Sequence, residues 1–276
     1  MLDRLYIRRK VEEFLAEDIG HQDLTTDNLD TDRHITAEIT VKEDGILCGI
    51  DIASVVMEVV DPGLTFRKIK GDGQKVKSGD IVGTITGSGK SILKGERVML
   101  NLLQRMSGIS TNTAKFVEKI RGTPAKILDT RKTTPGLRAF EKYAVSVGGG
   151  KNHRFALFDM VMIKDNHIAL AGGIKEAVQQ IKEKVSPFTR IEVEVSDLEQ
   201  FSQALELDVD IIMLDNFTVE MVREAVKINK NRKMLEASGN INLENIREYA
   251  LTGVDFISSG ALIHSARWLD ISLKFK

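Results

Sequence analysis

The stretch IEVEVSDLEQFSQALELDVDIIMLDN, residues 191–216, decides the fold. Ile191 to Val195 alternates apolar and acidic residues with the period of two that marks a strand. Asp197 with Gln200 three residues later forms a capping-box pattern opening a helix to Leu207. A second apolar run, Asp210 to Leu214, follows and ends in Asp215-Asn216. Strand, capped helix and strand in this order form a βα unit, whose strands pair in parallel.

Working outward, the same rhythm covers the chain from Ala125. Apolar runs recur at Lys126 to Leu128, Met160 to Ile163, Lys233 to Leu235 and Val254 to Ile257. Ile174 to Val185 carries the 3.6-residue helical period, Thr218 is placed to cap a helix through Val226, and Asn242 one through Ala250. The spacing of ~20–25 residues is that of βα repeats. Six clear strands are too few for a closed eight-stranded barrel. The pattern therefore predicts a related, incomplete or open α/β barrel, with a doubly wound sheet as the alternative.

The first hundred residues have another texture. Arg4 to Glu17 reads as an amphipathic helix through Leu5, Val11, Phe14 and Leu15. Short extended runs follow at Ile35 to Val41, Gly45 to Cys48, Thr65 to Lys70 and Ile81 to Ile85, interrupted by a helix at Ile50 to Val60. Gly71-Asp72-Gly73 and Gly87-Ser88-Gly89 supply turns. This predicts a small α+β sandwich. Val76 to Asp80 suggests a hairpin like those of biotinyl or lipoyl carriers, but without their signature around a displayed lysine, so a structural hairpin is the reading. A helix bearing Ile92, Val98, Leu102, Leu103 and Met106 then leads to a second helix, Ser110 to Ile120, with Gly108 as the expected break.

Composition narrows the function. Among 276 residues, net charge −1 excludes a global basic field for nucleic acid. No run of about 18 apolar residues is present, so no membrane span is expected. Met1 to Lys10 is charged and lacks an apolar signal core. The single cysteine, Cys48, excludes an intrachain disulfide and suits a reducing cytoplasm; its apolar neighbours predict a buried structural thiol. His21, His34, His153, His167 and His264 show no metal-ligand spacing, and His264 is expected on a terminal helix.

Chemistry gathers where the apolar runs end. They lead into Asp129-Thr130-Arg131-Lys132, Lys164-Asp165-Asn166-His167, Asp215-Asn216, Glu236-Ala237-Ser238-Gly239-Asn240 and Ser258-Ser259-Gly260-Ala261, while Glu192 and Glu194 share one strand face. In barrels the carboxyl ends of the strands carry the active site. Residues 131–164 hold seven Lys/Arg (Arg131, Lys132, Arg138, Lys142, Lys151, Arg154 and Lys164) against Glu141 and Asp159, a local net of +5. Such a cluster suits a multiply anionic small substrate. Ser238-Gly239-Asn240 and Ser259-Gly260-Ala261 each follow a strand and precede a helix, as phosphate-binding loops do. Glu194 and Asp215 could hold a divalent metal or ribose hydroxyls, stabilise a developing positive charge, or simply pair with basic neighbours.

These motifs resemble the quinolinate phosphoribosyltransferase family, the carboxylating nicotinate-nucleotide pyrophosphorylases. The resemblance rests on Asp129 to Arg138, Glu141 to Val145, Gly148 to Arg154 and Ile163 to His167. It extends to Glu17 to Gly20, Asp23 to Thr26, Glu96-Arg97, Leu100-Asn101, Ser107-Gly108, Glu192 to Val195, Leu214 to Asn216 and Glu236 to Gly239. Phe155-Ala156-Leu157-Phe158 departs from the family's Gly-containing segment. The resemblance implies an N-terminal α/β sandwich, residues 1–108, joined by the C-terminal segment 265–276, beside an open seven-stranded TIM-like α/β barrel, residues 109–264. It implies transfer of phosphoribose from phosphoribosyl pyrophosphate to quinolinate, with Mg²⁺, giving nicotinate mononucleotide, pyrophosphate and carbon dioxide. It also implies a homodimer with shared active sites, alone or within a higher oligomer.

By the same resemblance, Arg131, His153 and Arg154 form the pocket for the two quinolinate carboxylates. Lys132 and Lys164 are shared with phosphoribosyl pyrophosphate, and Arg97 reaches quinolinate across the dimer interface. Glu194 and Asp215 hold ribose hydroxyls and metal, and with Lys132 and Lys164 they form the catalytic set. Ser238, Gly239, Asn240, Ser259, Gly260 and Ala261 cradle the 5′-phosphate. Competing readings are a phosphoribosyltransferase for another pyridine or pyrrole acid, a Schiff-base aldolase using Lys164, and a carrier module built on the first hundred residues.

Overall fold

The computed structural model describes residues 3–276; Met1 and Leu2, the start of the charged N-terminal stretch, lie outside the described residues. In chain order the elements are α1 (Arg4–Ile19), β1 (His34–Val41), β2 (Gly45–Ile46), α2 (Ile50–Val60), β3 (Thr65–Lys68), β4 (Lys75–Val76), β5 (Ile81–Ser88), α3 (Gly89–Lys119), β6 (Lys126–Leu128), α4 (Arg138–Val147), β7 (Val161–Ile163), α5 (Asp165–Ala171), α6 (Ile174–Lys182), β8 (Ile191–Val195), α7 (Leu198–Leu205), β9 (Ile211–Asp215), α8 (Val219–Asn229), β10 (Met234–Ser238), α9 (Ile246–Ala250), β11 (Phe256–Ser258), α10 (Ala261–His264) and β12 (Ile271–Phe275). They divide into two compact units: Met1–Ala114, Pro135–Gly149 and Ala266–Lys276 form one, Lys115–Thr134 and Gly150–Ser265 the other. Residues 135–149, counted with the barrel in the sequence boundary, thus group with the first unit, as does the C-terminal segment.

The first unit is built on an antiparallel sheet ordered β12-β1-β5-β3. Alternation in β1 buries Ala37, Ile39 and Val41, and β12 adds the chain's end in the register Ala37–Phe275 to Val41–Ile271. In α1 the buried stripe is Ile7, Val11 and Leu15, four residues apart; Leu5 points to solvent at 78% exposure, so the expected stripe was displaced by a turn at its start. Asp3 caps this helix by accepting from the N–H groups of Leu5 and Tyr6.

Two expectations are corrected here. The turn Val76 to Asp80 is not a hairpin: β4 pairs with β2 in a separate two-stranded sheet, while β5 pairs with β1 and β3. Asp80 pins the turn by accepting from the Lys77 N–H at 2.8 Å. Gly108 does not break the helix, since α3 runs on to Lys119. A Cβ at Gly108 would lie 2.0 Å from the Arg267 carbonyl oxygen, so glycine serves to let the C-terminal segment cross α3 at backbone contact. Cys48 is buried as expected, and burial pushes its thiol pKa up, away from reactivity.

The second unit carries a parallel sheet ordered β6-β11-β10-β9-β8-β7. These strands read as near-continuous apolar runs because helices cover them: Val193, Ile212, Leu214, Ala237 and Ile257 are fully buried. The sheet has six strands. The seventh position implied by the resemblance is a single parallel bridge between Leu128 and Lys151. Beyond it Asp129 takes over the ladder, its carboxylate accepting from the His153 N–H at 2.8 Å and from Asn152 Nδ2 at 2.6 Å. With Lys151 at one edge and β7 at the other, this is an open α/β barrel.

At the opposite end of the strands, Asp210 accepts from the Ile191 N–H at 2.7 Å and Asp255 from the Leu235 N–H at 2.8 Å. Asp197 and Thr218 cap α7 and α8 as expected. Among the described residues, no helix is long and apolar enough to cross a membrane.

Candidate active site

A cavity of about 940 Å³ lies at the carboxyl ends of the second unit's strands. Its lining includes Arg131, Lys132, His153, Arg154, Lys164, Glu194 and Asp215, together with Ser238, Gly239, Asn240, Ser259, Gly260 and Ala261. All the expected barrel residues therefore meet in one place. Arg97 is not among the lining residues; it is exposed on α3 and belongs to the first unit.

The basic stretch is only partly a site. Arg131, Lys132, Arg154 and Lys164 line the cavity. Arg138 and Lys142 belong to α4 in the first unit, where Glu141 is buried against Arg105, with Nη2 to Oε1 at 2.8 Å. Helical periodicity across residues 138–147 could have signalled this division, because it places those charges on a separate element.

Each charged group is placed by its strand end. After β6, Thr130 Oγ1 accepts from the Lys132 N–H at 3.0 Å and the Arg131 carbonyl accepts from the Thr133 N–H at 2.9 Å, a tight turn presenting Arg131 and Lys132. Lys164 follows β7 as the N-cap residue of α5; its N–H donates to His167 Nδ1 at 2.9 Å, and its ammonium pairs with Glu194 near the end of β8. Arg154 donates from Nη1 to the Met160 carbonyl at 2.9 Å. Burial, with Arg131 beside it, holds the Arg154 guanidinium below its usual pKa range.

The loop after β9 meets the loop after β10. Asn216 (φ 56°), Gly239 (φ 97°) and Asn240 (φ 51°) all occupy the left-handed region. The Asn216 N–H donates to the Ser238 carbonyl at 2.9 Å, and Asn240 Nδ2 donates to Asn216 Oδ1 at 3.1 Å. Ser259 Oγ donates to the Ile241 carbonyl at 2.6 Å and accepts from the Ala261 N–H at 3.2 Å. The two loops do not both run straight into helices: α9 starts only at Ile246, and α10 spans four residues. Loop amides and the half-buried Ser238 hydroxyl, rather than a helix dipole, are what these loops offer an anion, while the buried Ser259 holds the loops together.

The lining also includes Thr130, Met162, Met213, Asn216, Asn242, Ser258 and His264, which sequence reading had not assigned to a site. His264 does lie on the terminal helix α10. Beneath the mouth, His153 Nε2 lies 3.0 Å from Glu192 Oε2 and 3.5 Å from Glu236 Oε2. Burial and the neighbouring Glu192 push the Glu236 carboxyl up to about 8. Alternation in β8 placed Glu192 on the same face as Glu194, but its depth depends on the sheet's curvature and was not visible in sequence.

The chain's likenesses agree along its length. Residues 109–274 match the quinolinate phosphoribosyl transferase C-terminal domain and residues 23–107 its N-terminal domain. A probable nicotinate-nucleotide pyrophosphorylase (carboxylating) of Synechocystis is 44% identical over 267 residues, covering 96% of this chain and 90% of that one. A protein of the same name from Bacillus subtilis is 41% identical, covering 99% and 94%. The solved structure of the nicotinate-nucleotide pyrophosphorylase from Francisella tularensis superposes with a TM-score of 0.95 at 42% identity, covering 100% and 98%.

Proposed function

The chain belongs to the quinolinate phosphoribosyl transferase family, and from that premise we propose how its cavity carries out the reaction. The activity is phosphoribosyl transfer to quinolinate with decarboxylation, yielding nicotinate mononucleotide for NAD biosynthesis. The observation that carries the proposal is the cavity's division of charge: four cations from two strand ends and the segment after Lys151 face two carboxylates, Glu194 and Asp215.

Arg131 and Arg154 take the two quinolinate carboxylates, with His153 in the same wall. Guanidinium forks match carboxylates in geometry, and Arg154, its pKa lowered first by burial and then by Arg131, gains a counter-charge when a dianion binds. Lys132 and Lys164 lie between quinolinate and the phosphoribosyl donor; Lys164 exchanges its Glu194 partner for substrate oxygens. That ion pair also speaks against Lys164 as an amine nucleophile. The loops Ser238 to Asn240 and Ser259 to Ala261 hold the 5′-phosphate through amides and hydroxyls.

So held, the pyridine nitrogen forms a bond to the ribose anomeric carbon as the bond to pyrophosphate breaks, a proximity effect. Glu194 and Asp215 face the positive charge that develops on the ribose. Once alkylated, the positively charged ring nitrogen stabilises the electron pair left on the adjacent ring carbon as its carboxylate departs as carbon dioxide, and that carbon uses the pair to take up a proton.

The oxygen-only donors Glu194 and Asp215 fit a hard cation such as Mg²⁺. When bound, Mg²⁺ neutralises charge on the leaving pyrophosphate. Arg97, exposed on α3, serves the cavity of a second copy in a homodimer, alone or within a higher oligomer. A cytoplasmic location suits the single buried cysteine.

The test is release of carbon dioxide from carboxyl-labelled quinolinate in the presence of phosphoribosyl pyrophosphate and Mg²⁺. Release with formation of nicotinate mononucleotide is expected. Turnover of nicotinate but not quinolinate would move the assignment to a related pyridine-acid transferase.

A further inference from the structure

The cavity floor holds an arrangement that direct substrate contact does not explain. Glu192 on β8 and Glu236 on β10 are 0% and 1% exposed, and β9 lies between their strands. Oε1 of Glu192 and Oε1 of Glu236 lack a hydrogen-bond partner. Burying two acids this way is costly, and apolar side chains would pack the same space with less penalty. What the two acids face is His153, whose Nε2 sits between them.

His153 is used on its other side too. Its Nδ1 accepts from the Arg154 N–H at 2.7 Å. A ring nitrogen that accepts carries no proton, so the proton sits on Nε2 and points at the two acids. The ring is thereby committed to Arg154 on one side and the buried carboxyls on the other, and its side chain is 8% exposed. Glu192 also acts on Arg154 directly, as the charge that opposes its repulsion from Arg131.

We infer that Glu192 and Glu236 are positioning residues that hold His153, and through its bond to the Arg154 backbone set the Arg154 guanidinium for a dicarboxylate. His153 thereby couples the buried acids to the segment that carries Arg154 into the cavity. This rests on the proposed assignment of Arg154 to quinolinate.

The test compares Glu192→Leu, Glu236→Leu and Glu236→Gln in the full-length enzyme. Both leucine variants are expected to raise KM for quinolinate about tenfold or more, since small misplacement of a clamp is costly, with KM for phosphoribosyl pyrophosphate within about twofold of wild type. Glu236→Gln, which keeps an oxygen facing His153, is expected to recover most of the quinolinate affinity. Unchanged quinolinate KM in the leucine variants, or equal changes for both substrates, would overturn the inference. No change in quinolinate KM in Arg154→Ala would instead overturn the underlying assignment of Arg154.

Should the leucine variants fail to fold, ¹⁵N imidazole spectra of the wild type decide. The His153 signals, identified by their absence in His153→Asn, should show Nδ1 unprotonated, as an acceptor from the Arg154 N–H. A ring protonated at Nδ1 could not accept from the Arg154 N–H and would defeat the inference.

Discussion

Asn216 donates from Nδ2 to Asp215 Oδ2 across 2.8 Å, and with φ 56° it does so from a left-handed backbone. The bond fixes one oxygen of the carboxylate proposed to meet ribose and metal, while Asn216 Oδ1 ties the same amide to Asn240 in the phosphate loop. One side chain thus links two subsites. Asn216→Gly preserves the backbone and removes both bonds; Asn216→Ala removes them and adds strain of about 1–2 kcal/mol. Both variants should raise KM for phosphoribosyl pyrophosphate, and only the alanine variant should also lose that stability in urea unfolding. Equal stability of the two would show that the conformation carries no strain.

Arg131 sits exposed at the cavity mouth, next to Arg154. Arg131→Ala should weaken quinolinate binding by roughly 2 kcal/mol or more, near the lower end for a charge partner because the site is open to solvent. Calorimetric titration measures this directly. Unchanged affinity would place Arg131 outside the dicarboxylate pocket.

Much of the barrel was legible because parallel strands announce themselves as apolar runs and helices by their caps: Asp197 and Thr218 cap where they were expected to. Residues in the loops at strand ends were legible for the same reason, since Arg131, Lys164 and Asp215 directly follow or end such runs. Depth and close approach were not. Glu192 and Glu194 look equivalent in an alternating strand, yet the first is buried against His153 and the second reaches the mouth. Gly108 looked like a helix break, because a sequence does not reveal that residue 267 will cross there.

That crossing has a consequence for stability. In Gly108→Ala the new Cβ would meet the Arg267 carbonyl oxygen at 2.0 Å and the carbonyl carbon at 3.0 Å, neither of which can rotate away. A loss of roughly 1–3 kcal/mol or more is expected from overpacking, read as a lower denaturant midpoint at unchanged slope. A variant as stable as wild type would mean that the C-terminal segment does not lie against α3.

The raised Glu236 pKa links folding to pH. The unfolded carboxyl titrates near 4.5 and the folded one near 8, so between these values the folded state binds the extra proton. Its contribution to stability is full below the unfolded pKa and is lost as pH rises through the folded value. Wild-type stability should therefore carry a component that declines from about pH 4.5 to 8, and Glu236→Gln should lack it. Parallel stability profiles for the two proteins would show that Glu236 is ionised in the fold.

The proposed sharing of sites between subunits gives a quantitative prediction. Arg97→Ala disables a residue that each chain lends, and Asp215→Asn one that each cavity keeps, so either homodimer should be nearly inactive. When the two variants are unfolded together in equal amounts and refolded, half of the dimers are mixed if pairing is random. In a mixed dimer, one chain brings Arg97→Ala with an intact Asp215, and the other brings Asp215→Asn with an intact Arg97. If Arg97 serves the partner's cavity, the Asp215→Asn chain lends its arginine to the Arg97→Ala chain's intact cavity, and one wild-type site is rebuilt per mixed dimer. About a quarter of wild-type activity should return. If Arg97 serves its own cavity, both sites of every mixed dimer stay defective, and the mixture should remain as inactive as its parents.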